Sequence, residues 1–244
     1  MPDQVAQLEL MEGWRRADGT HVAALRITLA PGWKTYWRSP GDGGLPLRLS
    51  FDGGQGFDSA RIAWPVPKVF YQNGLRSIGY EDEVILPLAL SGVARDADIS
   101  VSGEIDFGVC EEICVPMQLP LEGTLSAKNT TPVADIVAAL ADRPMSATEA
   151  GVGSVACSIE PISDGLAVSA QIEMVPFARK EALVMELPDR SIWISEPDME
   201  RQGDRIIAIS EMVPPDGQPF LLDRSSVRIT IIGEGQAVEI LGCE

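Results

Sequence analysis

The sequence predicts an all-β chain of two antiparallel β-sandwich domains joined by a short helical linker. Three observations lead there. Apolar and polar residues alternate with a period of two through residues 22–29, 47–51, 99–107, 167–174 and 205–209, as they do in a strand with one buried face. Gly, Pro and Asp cluster between such runs, at Pro31-Gly32, Pro40-Gly41-Asp42-Gly43-Gly44, Asp52-Gly53-Gly54 and Pro214-Pro215-Asp216-Gly217, where turns need their backbone preferences. Many short strands at this spacing suggest sandwiches. One segment near residues 131–144 abandons the period of two for a helical one.

The first domain is expected over residues 1–128. Its last two strand-like runs, 105–109 and 115–121, flank Cys110-Glu111-Glu112-Ile113-Cys114. The helix comes next. Thr131 can serve as its N-cap and Pro132 suits the first helical position. Asp135 lies in the first turn, and Val133, Ile136, Val137 and Leu140 recur at helical spacing until Pro144 stops the run. Residues 145–153 are small and polar, so a helix and linker are expected over 129–150. The second domain is expected over 151–244, and no convincing internal repeat relates the two.

Composition narrows the function. At 244 residues the chain can bury a core in each half. Its 45% hydrophobic and 23% charged fractions are globular values. The formal net charge is −17, with 11 basic and 17 acidic groups before residue 129 and 7 and 16 after residue 150. No basic cluster is available for phosphates, so nucleic acid is not an expected partner, and anionic lipid surfaces are disfavoured. The most apolar stretch, residues 84–90, is interrupted by Pro87. A spanning helix needs about 20 apolar residues, so no direct membrane insertion is expected. The start lacks a basic and an apolar region, so the chain is either cytosolic or has lost a signal peptide.

Four cysteines, an even number, favour an oxidising compartment. Cys110 and Cys114 form the candidate reaction centre, at a strand–turn–strand junction. The spacing permits a disulfide if the chain folds back tightly. It leaves open a redox pair, a hairpin staple and a two-cysteine metal site, the last without a nearby His to complete it. Asp106, Glu111 and Glu112 flank the pair with no cation close in sequence, so the thiols are not expected to be strongly acidic. Cys157 and Cys243 bracket the second domain, and a bridge between them reads as a structural disulfide contributing about 4–5 kcal/mol. Residues 32–46 gather two Trp and a Tyr beside a glycine turn, as a core corner or a stacking platform. His21 is expected at a turn after Asp18-Gly19, and no nucleophile elbow accompanies it. Neither common glycine-rich phosphate loop is present. No cofactor and no metal are expected.

Residues 32–46, then Trp64-Pro65, Phe70-Tyr71, Gly79-Tyr80, Leu86-Pro87 and finally the run from Cys110 to Pro116 occur in an order that looks familiar. Together they resemble the periplasmic N-terminal domain of the thiol:disulfide interchange protein DsbD, especially its longer relatives of the suppressor-of-copper-sensitivity type. Residues 151–244 resemble, with less motif support, the extra β domain of those relatives. The resemblance implies an immunoglobulin-like fold, a periplasmic location and a Cys110/Cys114 pair that passes electrons to or from thioredoxin-like proteins. A membrane electron-transfer protein would be the reductant. It also implies a cap loop carrying an aromatic residue, matched here by Phe70 and Tyr71, that covers the sulfurs. Cys114 matches the cysteine that forms mixed disulfides, and Cys110 the resolving one. The best-known members separate the cysteines by five residues, and this chain by three. The expected function is thiol-disulfide interchange. The alternatives are a non-catalytic binding module of the same fold with structural disulfides, and a periplasmic copper-handling protein using the thiolates and Met117.

Overall fold

The alternating runs fold as strands in the computed structural model, which describes residues 5–41, 43–51, 54–72, 74–94 and 96–243. Of the predicted turn residues, Asp42, Asp52 and Gly53 lie outside that set. The first unit, Met1–Arg143, holds β1 (Ala6–Arg15), β2 (His21–Leu29), β3 (Lys34–Tyr36), β4 (Arg48–Ser50) and β5 (Ser59–Ile62). It continues with β6 (Lys68–Gln72), β7 (Leu75–Glu81), β8 (Glu83–Ser91), β9 (Ile99–Cys110), β10 (Cys114–Leu125) and the helix α1 (Ala134–Ala141). One sheet has the order β1-β2-β8-β5 and the other β10-β9-β3-β7-β6, with β4 also on β9. Leu25, Ile27 and Leu86 of the first sheet and Ile105, Phe107 and Val109 of the second are buried.

Strand β2 is buried on both faces, which a half-exposed strand would not be. The second cover is α1. Ile136 is fully buried in a cluster with Met11, Trp14, Val22 and Ala24, and Val133 and Leu140 pack against it. Arg26 of β2 reaches Asp135 of the helix at 2.5 Å. Helix α1 starts later than its sequence suggests. Val133, extended at φ −91° and ψ 124°, is the N-cap, with no side-chain cap, in place of Thr131 and Pro132. Burying the Val133 side chain against the cluster sets the onset, and packing here overrides local capping preference.

The second unit, Pro144–Glu244, contains β11 (Met145–Ser146), β12 (Val155–Ile162), β13 (Gly165–Glu173), β14 (Ala182–Glu186) and β15 (Trp193–Ile194). It ends with β16 (Asp198–Gln202), β17 (Arg205–Val213), β18 (Arg228–Ile232) and β19 (Ala237–Leu241). The sheets run β11-β19-β18-β14 and β12-β13-β17-β15, with β16 also on β17. Val168 and Ile172 of one sheet meet Ile229, Ile231 and Val238 of the other in a single core. The chain is thus two β-sandwiches with a short helix between them in sequence.

A buried polar cluster closes the start of the first sheet. The register of β1 on β2 shifts between Met11 and Trp14. Gly13 sits there at φ +65°, and a Cβ on it would lie 1.7 Å from the Val22 carbonyl oxygen. His21 follows the Asp18-Gly19 turn but is the first residue of β2 and not a turn residue, and it is fully buried. One ring nitrogen lies 2.6 Å from the Glu12 carbonyl, and the other accepts from Arg15 Nε at 3.3 Å. Arg15 also donates to the carbonyls of Ala94 and Ala97. Burial lowers the His21 pKa, and the Arg15 charge adds to the effect. The imidazole is therefore neutral in the folded state, and the unfolded chain binds its proton first, near the ordinary pKa of about 6.5. Stability is present above that value and is lost as pH falls through the depressed folded pKa. Melting temperatures measured between pH 7 and 5 should fall in the wild type and fall less steeply in His21→Gln. Parallel curves would exclude His21 as the sensitive group.

Candidate redox site

Strands β9 and β10 pair residue for residue from Ile99–Leu125 to Cys110–Cys114. The two cysteines are the last rung of this ladder, closed by the three-residue loop Glu111-Glu112-Ile113. Directly opposed residues of an antiparallel pair point to the same face, and this brings the sulfurs together. Cys110 and Cys114 form a disulfide with their Cα atoms 4.1 Å apart.

The two sulfurs are not equivalent. Strand β9 lies between β10 and β3, with Cys110 opposite Lys34, and Cys110 is half-buried. Strand β10 is the edge of its sheet, and Cys114 is exposed. Pro116 and Pro120 follow on the same edge, where a missing N–H is best tolerated. Ile113, at the loop, is 75% exposed, and Val115 and Leu45 are also exposed apolar residues.

Period-two geometry assigns the neighbours. Lys34 and Tyr36 share the face of Cys110. Through the pairings of β7 with β3 and β6, Phe70 stands on that face too. The Lys34 ammonium lies 4.7 Å from the centre of the Phe70 ring. Lys34 is the cation that proximity in sequence did not supply, so the surroundings are less acidic than Asp106, Glu111 and Glu112 alone implied. Tyr71 belongs to the opposite face and is 71% exposed. Gln72, at the end of β6, donates to the Glu111 carbonyl at 2.8 Å and ties that hairpin to the cysteine loop.

Residues 32–46 divide between two roles. Trp37 is fully buried, as a core corner requires, with the Arg38 guanidinium 4.3 Å from its ring centre. Tyr36 faces the other way. Its hydroxyl is 3.0 Å from Cys114 Sγ. A disulfide sulfur carries no hydrogen, so the phenol is the donor, and the Gly43 carbonyl is a second, longer acceptor for the same proton at 3.4 Å. Burial raises the Tyr36 pKa, which keeps that proton in place. The ring passes over Gly108, where a Cβ would lie 2.9 Å from it, and beside Gly44, where a Cβ would again be 2.9 Å away. Neither Tyr36 nor Lys34 was singled out as a site residue in the sequence. The available signal was the pair of glycines at positions 44 and 108, which mark a close approach.

The other cysteine pair is also joined. Cys157, in β12, and Cys243, beyond β19, have Cα atoms 5.6 Å apart and form a disulfide across 86 residues. It links the two sheets of the second sandwich. Met117 is buried on the face of β10 opposite Cys114, because the two are an odd number of residues apart, so the strand turns it away from the sulfurs. Among the described residues there is no group of three or more His, Cys, Asp or Glu that could hold a metal ion. No helix among them is long and apolar enough to cross a membrane.

The family model described as the N-terminal part of the thiol:disulfide interchange protein DsbD matches residues 2–125, which include both strands of the cysteine hairpin. The chain belongs to the DsbD N-terminal family. No curated protein sequence matches it. Among solved structures, the N-terminal periplasmic domain of ScsB from Proteus mirabilis superposes with a TM-score of 0.74 at 21% identity. That alignment covers 100% of this chain and 96% of the other, so the likeness in fold extends through both sandwiches. Residues 2–125 are thus a thiol-disulfide interchange family domain with immunoglobulin-like architecture.

Proposed function

We propose that this DsbD-family domain exchanges disulfides with thioredoxin-like proteins of the periplasm through Cys110 and Cys114. A separate membrane electron-transfer protein would supply its electrons. The observation that carries this reading is the asymmetry of the pair, with one sulfur exposed on an edge strand and the other held inside the sheet. Exchange needs a sulfur that an incoming thiolate or disulfide can approach in line, and a second one close enough to resolve the mixed disulfide. Exposed Ile113, Val115 and Leu45 beside the pair supply the kind of apolar surface on which a partner docks. The Cys157–Cys243 bond has the contrasting role of a staple. A measured reduction potential tests the reading. A value near −200 mV suits a carrier, whereas one below about −300 mV belongs to a structural bond and would return the pair to the binding-module alternative.

In this reading Phe70 is the cap residue and Tyr71 is not, since only Phe70 shares the face of the pair. Phe70→Ala removes the ring and its contact with Lys34. A cation–π contact of about 0.5–1 kcal/mol corresponds to a roughly two- to fivefold change in how often the lid is open. Reduction of Cys110–Cys114 by a small phosphine should speed up by at least that factor in Phe70→Ala, which loses the ring as well as the contact, and stay at the wild-type rate in Tyr71→Ala. Equal rates in all three proteins would remove the cap assignment.

A further inference from the structure

We propose that Tyr36 is a catalytic hydrogen-bond donor to the Cys114 sulfur, and that this bond selects Cys114 over Cys110 as the attacking thiol. The inference rests on the exchange reading above and assigns that site a further residue. Three independent features of the structure converge on it. The phenol oxygen is 3.0 Å from Cys114 Sγ, within reach of an O–H donor to sulfur. The ring is held in place by two absences, since a Cβ on Gly44 or on Gly108 would come within 2.9 Å of ring carbons. Tyr36 itself is buried, and the competing acceptor for its one proton, the Gly43 carbonyl, lies further off at 3.4 Å. Cys110 faces Lys34 in the ladder, and the Lys34 ammonium is turned over the Phe70 ring, so the phenol is the contact that distinguishes Cys114. A phenol that donates to one sulfur of two stabilises the thiolate of that one.

Reduced Cys114 gives its proton to water, and the thiolate attacks one sulfur of a partner protein's disulfide. A bond forms from Cys114 Sγ to that sulfur, the partner's S–S bond breaks, and the other partner sulfur leaves with the electron pair and takes a proton from water. The Cys110 thiolate, its own proton lost to water, then attacks Cys114 Sγ. The Cys110–Cys114 bond forms, and the first partner sulfur departs with its electron pair and is protonated. Two electrons have passed to the partner. Tyr36 keeps its proton throughout and serves the negative charge on Cys114 before the first attack.

A hydrogen bond to a charged group shifts such a thiol by about one pH unit, or roughly tenfold in thiolate at neutral pH. Nucleophilicity falls with pKa at a slope of about 0.4–0.5, so the net gain in rate is only about threefold. The test uses single-thiol proteins, in which the Cys157–Cys243 bond stays closed. Cys110→Ser leaves Cys114 as reporter, and Cys114→Ser leaves Cys110. Each is alkylated with iodoacetamide across a range of pH, with and without Tyr36→Phe, which keeps the ring and removes the hydroxyl. The expected result is a midpoint about one pH unit higher for Cys114, a rate at pH 7 about threefold lower, and no shift for Cys110. Gly108→Ala, which crowds the ring, should move the Cys114 midpoint in the same direction. An unmoved Cys114 midpoint in Tyr36→Phe, or equal shifts at both cysteines, would overturn the proposal. The assay needs no partner protein, so a shift at Cys114 without any transfer to partners would sink the exchange reading and leave Tyr36 as a donor to Cys114 with no catalytic role.

Discussion

Replacing Cys114 with serine is expected to abolish disulfide transfer to a thioredoxin-like partner, whereas Cys110→Ser should accumulate a covalent complex. The sulfur that attacks is needed to form the mixed disulfide, and the sulfur that resolves is needed to release it. Cys114 is exposed on the edge strand β10 and holds the Tyr36 hydroxyl at 3.0 Å. Cys110 sits one strand further in, half-buried between β10 and β3, where a partner sulfur has less room to approach. Mixing each variant with an oxidised thioredoxin-like protein and separating the products on a non-reducing gel reads the outcome. A band of summed mass should appear with Cys110→Ser and disappear on adding reductant. Trapping by Cys114→Ser instead would exchange the two roles. If neither variant traps a partner, and the wild-type disulfide resists reduced partners, the pair is a hairpin staple.

The second large effect concerns the other disulfide. Opening Cys157–Cys243 by substituting both cysteines with alanine should destabilise the second sandwich by about 4–5 kcal/mol, because the bond closes a loop long enough to cost that much chain entropy. Total domain stabilities run to only about 5–15 kcal/mol, so much of the unit's margin would be lost. The bond crosses from β12 to the segment after β19, on the other sheet. It therefore holds the two layers together as well as the chain ends. Denaturant unfolding should show the transition of the second unit moving to lower denaturant, while alkylation of a single-thiol Cys114 reporter in the first unit is unchanged. An unmoved transition would mean that packing of Val168, Ile172, Ile229 and Ile231 suffices without the bridge.

How much of this was legible beforehand depends on the range of the signal. The runs at 22–29, 99–107 and 205–209 became His21–Leu29, Ile99–Cys110 and Arg205–Val213, because alternation and turn residues are local properties that each strand carries for itself. The cysteine hairpin was legible for the same reason, since both strands and their loop are contiguous. Family membership was legible through motifs that keep their order along the chain. The onset of α1 was not, because Val133 is drawn into the cluster of Met11, Trp14 and Val22, more than a hundred positions away.

The chemistry around the sulfurs divides the same way. By itself the sequence determined that this is a β-sandwich chain with a close cysteine pair at a turn and acidic residues beside it. Only the tertiary structure decided that Lys34 lies opposite Cys110, that Phe70 and not Tyr71 shares the face of the pair, and that Tyr36 reaches Cys114. The reason is register. Residues 34–36 and 108–110 meet across more than seventy positions of chain. A slip of one residue in that pairing would turn Tyr36 and Lys34 to the other face, and nothing local in either strand specifies the alignment. It is set by the core side of the same strands, where Thr35 donates to the Gly108 carbonyl at 2.9 Å and Trp37 and Val109 are buried.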